Sequence, residues 1–86
     1  MNHPFDKKNN EIEYDTELDL QILREDLAAE LLAVNQYQEH IESIADEESK
    51  KVLEHIRDDK KRHAAKLLRL IQGLDTVQSK ILEKGI

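Results

Sequence analysis

The sequence contains no cysteine and no tryptophan, one proline, two glycines, two tyrosines and one phenylalanine. The missing cysteine excludes disulfides and thiolate metal sites. So few turn formers and aromatics leave little with which to build a sheet. Gly73 and Gly85, both near the C-terminal end, cannot form a phosphate-cradling loop. There is no Ser-His-Asp arrangement, and no residue is assigned a catalytic role. No stretch approaches the roughly 20 apolar residues of a membrane span. The opening Met1-Asn2-His3-Pro4-Phe5 has no apolar signal segment. A cytoplasmic protein is therefore expected. The net charge of −6 speaks against nucleic acid as a partner. The densest basic run, Lys60-Lys61-Arg62, directly follows Asp58 and Asp59.

What remains is 37% charged residues mixed with Leu, Ile and Ala, a composition that favours long helices. With 86 residues the chain forms one domain. Residues 1–15 are polar and aperiodic and read as a flexible N-terminal arm; residues 16–86 form the domain. Asp15 and Thr16 suit a helix cap, and Glu17 and Asp19 suit the positive end of a helix dipole. A first helix is expected from about Glu17 to Ile44, roughly 42 Å long. Its seam, Leu20, Leu23, Leu27, Glu30, Val34, Tyr37, Ile41 and Ile44, alternates spacings of three and four and is apolar at every position except Glu30 and the phenol of Tyr37.

Asp46 then caps a second helix with the seam Leu53, Ile56, Lys60, His63, Leu67, Leu70 and Leu74, which Gly73 is suited to end. Asp75 caps a short third helix reaching Gly85. A connection as short as Ala45 to Glu47 makes the long helices antiparallel neighbours. The expected fold is thus all-α: an antiparallel two-helix hairpin plus a short C-terminal helix. Leu31, Leu32, Leu68 and Ile71 remain on the outside of such a hairpin. Dimerisation into a four-helix bundle is the simple way to cover them.

Counting from a turn centred near residue 46, Glu30 and His63 fall at one level, roughly 24 Å away, with Lys60 one turn nearer the loop. A buried carboxylate is costly unless paired or metal-bound, so Glu30, Lys60 and His63 constitute one site. Two readings apply. Buried polar residues in bundles commonly fix register and partner choice. Alternatively, a Glu on one helix and a Glu-x-x-His pair on another are the ligands of di-iron carboxylate bundles.

Two stretches carry a family resemblance. Ala29-Glu30-Leu31-Leu32-Ala33-Val34-Asn35-Gln36-Tyr37 resembles the first helix of ferritin-like proteins of the rubrerythrin and encapsulated-ferritin group. Arg57-Asp58-Asp59-Lys60-Lys61-Arg62-His63-Ala64-Ala65 resembles their second helix. The resemblance covers about residues 20–74. It implies a ferritin-like four-helix bundle made from two short hairpins, a di-iron ferroxidase site at their interface, a higher-order ring, and residence inside an encapsulin nanocompartment. No clear targeting peptide is visible at Lys84-Gly85-Ile86.

Carried over by position, Glu30 matches the first-helix carboxylate ligand, Tyr37 the tyrosine beside the site, and His63 the histidine of Glu-x-x-His. The glutamate of that motif falls on Lys60, so a cation stands where a cation should bind. In a dimer, two Glu30 carboxylates would face two Lys60 ammoniums, a cluster that is neutral without metal. One expectation is therefore a degenerate site in which Lys60 pairs with Glu30. The other retains a metal, iron or less readily zinc, on two Glu30 and two His63 across the dimer, with ferroxidase activity. Asp59, four residues before His63, would be a substitute carboxylate or would accept a hydrogen bond from a ligand. Asp26 and Glu30 are like charges at i, i+4, which favours a cation beside them.

Overall fold

The structure is a computed structural model that describes the backbone of residues 4–85 and the side chains of residues 16–85. It is all-helical: α1 spans Pro4–Ser43, α2 Glu47–Leu74 and α3 Thr76–Lys84. The long helices lie side by side and antiparallel, as the short connection requires.

α1 starts at Pro4 rather than near Glu17. Proline is pre-set for the first helical position, where its missing N–H costs nothing. Neither Gly nor Pro occurs between Phe5 and Ser43 to interrupt the helix. The arm assigned to residues 1–15 is thus helical in its backbone from Pro4; its side chains and residues 1–3 lie outside the described residues. The expected boundary keeps a structural meaning. α2 has 28 residues, and the 28 residues of α1 nearest the turn are residues 16–43.

The turn is built on Asp46. Its Oδ2 accepts hydrogen bonds from the Ser49 N–H at 2.9 Å and the Ser49 hydroxyl at 2.6 Å. At the far end Gly73 does not stop α2, which continues through Leu74. Asp75 ends it, its N–H donating to the Ile71 carbonyl at 2.7 Å, while its Oδ1 accepts from the Gln78 N–H at 3.0 Å and caps α3. Its Oδ2 also accepts from Arg24 Nη2 at 2.8 Å, which ties the α2–α3 corner to α1. Gly85, at φ 67°, closes α3 in the left-handed conformation.

Every expected seam position of α1 is buried or half-buried. On α2 the seam departs from expectation. Leu53, Ile56, Lys60 and Leu67 face inward, but beyond Lys60 the inward positions are Ala64 and Ile71, not His63, Leu70 and Leu74. Ile71, expected outside, is buried, whereas Leu70 and Leu74 are exposed. The cause is helical pitch. A straight helix repeats every 3.6 residues and drifts about 20° per heptad from a strict 3.5-residue seam. Between Leu53 and Ile71 that drift is about 50°, half the step between neighbouring residues, which is enough to favour the equally regular seam Leu53, Arg57, Lys60, Ala64, Leu67 and Ile71 over the one through His63 and Leu70.

The hairpin is a single layer. The molecule extends 62 × 37 × 13 Å, and its radius of gyration is 18.7 Å against about 12 Å for a compact domain of this length. Among the described residues only Leu20, Ile41 and Ile71 are buried hydrophobics, and no side chain is fully enclosed. Burial of such side chains contributes about 1.5–3 kcal/mol each, little against a backbone entropy cost of about 1–2 kcal/mol per ordered residue. Leu31, Leu32 and Leu68 are exposed as expected, joined by Ile22, Val52, Leu70 and Leu74.

Candidate functional site

Glu30, Lys60 and His63 meet as the level count requires. Glu30 comes from the middle of α1; Lys60 and His63 stand one turn apart on α2. Lys60 Nζ lies 3.5 Å from Glu30 Oε1, and His63 Nδ1 lies 3.4 Å from Glu30 Oε2. The Glu30 side chain is 22% exposed and that of Lys60 30%. His63, at 47%, sits at the mouth of the cluster rather than in it. Both contacts have ion-pair length and exceed the 2.7–3.2 Å of a well-formed hydrogen bond. Glu30 Oε1 is buried and accepts no hydrogen bond. It is an oxygen held close to a positive charge without a donor aimed at it.

Beside this cluster the hairpin opens into a groove lined by Asp26, Ala29, Glu30, His63, Lys66 and Leu67. Asp26 stands on the α1 rim and Lys66 on the α2 rim. Lys66 was not singled out in the sequence, although its position three residues beyond His63 places it on the same side of the helix.

Asp59 does not join the cluster. Its Oδ1 is held by Arg62, at 2.6 Å from Nη2 and 3.2 Å from Nε, on the exposed side of α2. The Arg62 hydrogen bond keeps its carboxyl below the usual carboxylate range. Tyr37 is half-buried two turns nearer the loop, about 10 Å along the helix from Glu30. Its ring meets His40 edge-on, with centroids 6.4 Å apart.

A second inter-helix link lies one turn from Lys60. Arg57 Nη1 donates to Gln38 Oε1 at 2.9 Å and Arg57 Nε to Asp58 Oδ1 at 3.1 Å; Gln38 Nε2 donates in turn to Glu42 Oε2 at 2.9 Å. Its signal in the sequence was weak. Arg57 lies four residues after Leu53 and three before Lys60, on the alternative seam that continues through Ala64, Leu67 and Ile71.

The donor set does not fit a pair of iron ions. One chain offers a carboxylate and an imidazole, with an ammonium where a second carboxylate is needed. Among the described residues no three His, Asp or Glu side chains gather as metal ligands. Two copies would bring two Glu30 and two His63, enough donors for one ion, with two ammoniums beside them.

The EncFtn-like family model matches residues 5–85. The chain is 42% identical over 65 residues to the encapsulin nanocompartment cargo protein EncC of Myxococcus xanthus, a match covering 76% of this chain and 49% of that protein. The chain thus spans about half the length of this relative. Protein ne0167 of Nitrosomonas europaea, known from a crystal structure, is similar in structure at a TM-score of 0.77 and 36% identity. That likeness covers 81% of this chain and 77% of the other.

Proposed function

Because the chain belongs to the EncFtn-like family, we propose that it is a ferritin-like bundle protein with a degenerate di-iron site, in which Lys60 stands in for the metal. One observation carries the reading: the ammonium of Lys60 lies 3.5 Å from the buried Oε1 of Glu30. Two unit charges at that separation interact by about 5 kcal/mol at an effective dielectric constant near 20, before desolvation is subtracted. A ferrous ion approaching Glu30 meets repulsion of that order from the same ammonium. The family scaffold is retained, and its centre is already neutral.

The test is iron content. Homogeneous protein is exposed to Fe(II) in air, passed through a desalting column and assayed. The expected result is far less than one iron per chain at the bundle centre, with little acceleration of Fe(II) oxidation over buffer. Lys60→Glu restores the missing carboxylate and should gain both iron and oxidation rate. One iron or more per wild-type chain, held by Glu30, defeats the reading. So does a Lys60→Glu variant that gains nothing.

A second reading is favoured by the orphaned Glu30 Oε1 and the half-exposed His63 imidazole. Two Glu30 and two His63 from paired copies would hold a single iron or zinc ion, with Lys60 swung outward. Stoichiometry separates the two, since this reading requires one ion per two chains, abolished by Glu30→Gln.

The setting we propose follows EncC, which by its name is cargo of an encapsulin nanocompartment. The chain would act as a homodimer, or a ring of dimers, inside such a protein shell. Co-expression with an encapsulin shell protein and co-purification of the assembled particle test it. Recovery of empty shells is the contrary result.

A further inference from the structure

We infer that the outer edge of α2 is a docking stripe for an acidic amphipathic helix of another protein, seated along Arg62, Lys66, Arg69 and Gly73. The stripe lies outside the Glu30–Lys60 pair and uses none of its chemistry.

On a helix surface, residues i, i+3, i+4 and i+7 are the four corners of a hole that receives one side chain of a packed partner helix. Arg62, Ala65, Lys66 and Arg69 are such a set, and Lys66, Arg69, Leu70 and Gly73 are the next one along. Each hole has one small corner, Ala65 or Gly73, which leaves depth for a knob. Arg62, Ala65, Lys66, Arg69 and Leu70 line an open concavity of about 450 Å³. All six positions are exposed. Within a single chain Gly73 has no structural reason. It lies inside α2 without ending it, and glycine weakens a helix relative to alanine. Among the described residues nothing stands within 4 Å of where its Cβ would be, so it makes no room for a neighbour in the hairpin. A second backbone approaching from outside accounts for it.

Charge decides what sits there. From Lys60 to Leu74 α2 carries five cations, and all 19 carboxylates of the chain lie elsewhere. Lys60 turns inward to Glu30, and Asp59 holds Arg62 through Nε and Nη2, which fixes that guanidinium at one end of the stripe. Lys66 and Arg69 have no ion-pair partner among the described residues. Cations spaced by four and three match carboxylates that repeat every three or four residues on one face of a partner helix. The apolar floor at Ala65 and Leu70, with the stems of Lys66 and Arg69, calls for small or apolar side chains between those carboxylates. A nucleic-acid backbone gains nothing from that floor, and its length brings it against the net negative charge of the rest of the chain. From Arg62 to Gly73 the stripe is about 16 Å long, roughly three turns, which suits a short helical segment.

The test uses a fluorescein-labelled, end-blocked peptide of about 18 residues, with Glu at successive spacings of four and three and Ala or Leu beside them. Its anisotropy should saturate on titration with the full chain, and the affinity should fall as salt screens the contact. A peptide of the same composition, with Glu scattered round the helix, should bind at least about tenfold more weakly. Arg69→Glu should raise the dissociation constant by about tenfold or more. Gly73→Leu keeps every charge and favours the helix but fills the second hole, and it should weaken binding by a similar factor. Circular dichroism checks that both variants keep their helices. The inference is overturned by the absence of saturable binding, or by equal affinity for the scattered peptide or for polyphosphate of the same charge. An unchanged dissociation constant in Gly73→Leu also overturns it. So does loss of self-association in both variants, which would assign the stripe to a second copy of this chain.

Discussion

Glu30 Oε1 and Lys60 Nζ face each other 3.5 Å apart across the two long helices, and the carboxylate oxygen is buried without a hydrogen-bond donor. The pair is therefore more than a solvated surface contact and less than a saturated buried salt bridge. Removing one partner leaves the other charge desolvated and uncompensated. Lys60→Met should lower unfolding stability by about 1–3 kcal/mol, below the usual range for a fully buried pair because both side chains keep some solvent contact. Lys60→Met with Glu30→Gln should recover much of that loss. A denaturant double-mutant cycle measures the coupling, expected at about 1–2 kcal/mol. A coupling under about 0.3 kcal/mol would mean that the two charges ignore one another in solution.

Position 60 was legible because it breaks an otherwise apolar stripe, and its level opposite Glu30 followed from counting residues from the turn. The caps at Asp46 and Asp75 were legible for the same local reason: a short carboxylate before a helical run satisfies free N–H groups. What could not be read was which edge of α2 turns inward. Apolar side chains sit at both Leu70 and Ile71, and small or polar ones at both His63 and Ala64, so two alternating seams that share Leu53, Lys60 and Leu67 fit almost equally well. The choice depends on the partner helix, which composition does not encode. The extension of α1 back to Pro4 was not legible because a polar, aperiodic stretch gives no periodic signal, and only helix propensity and a favourable proline point to it.

Asp75 ties together more of the chain than Asp46. The Asp46 carboxylate accepts from Ser49 and its carbonyl from Lys50, whereas the Asp75 carboxylate accepts from the Gln78 N–H and from Arg24, its N–H donates to Ile71 and its carbonyl accepts from Ser79. Asp75→Ala should lower the melting temperature more than Asp46→Ala, by several degrees in a chain this short. Asp75→Asn should fall between, keeping the α3 cap but losing the Arg24 ion pair. Equal melting temperatures for Asp75→Ala and Asp46→Ala would show that the α2–α3 corner is not anchored to α1.

The same carboxylates set an acid limit. The Asp46 carboxyl is pulled below its ordinary value chiefly by the Ser49 hydroxyl, that of Asp75 by the Gln78 N–H and then Arg24, and that of Asp59 by Arg62. A group whose folded pKa is depressed contributes stability above its unfolded value, near 4 for Asp. It loses that contribution as pH falls through the folded value. Stability should therefore decline below about pH 4. Asp75→Asn should flatten that decline, as measured by melting temperature between neutral and acid pH. A wild-type profile that is flat across this range counts against the caps.

Arg57 gives the last prediction, because it joins the helices without touching Glu30. Its guanidinium donates to Gln38 across the hairpin while its stem lies half-buried on the inward edge of α2. Loss of one part-buried charged hydrogen bond and the packing of the stem costs about 1–3 kcal/mol. Arg57→Ala should therefore destabilise the hairpin by that amount, and Arg57→Lys by nearly as much, since an ammonium does not reproduce the planar fork that reaches Gln38 and Asp58 together. Neither change alters the charge beside Glu30, so iron uptake by a Lys60→Glu chain should persist when Arg57→Lys is added. If Arg57→Lys instead abolishes that uptake while helicity is kept, the Gln38–Arg57 link fixes the register at which Glu30 meets position 60, and the two inter-helix contacts act as one unit.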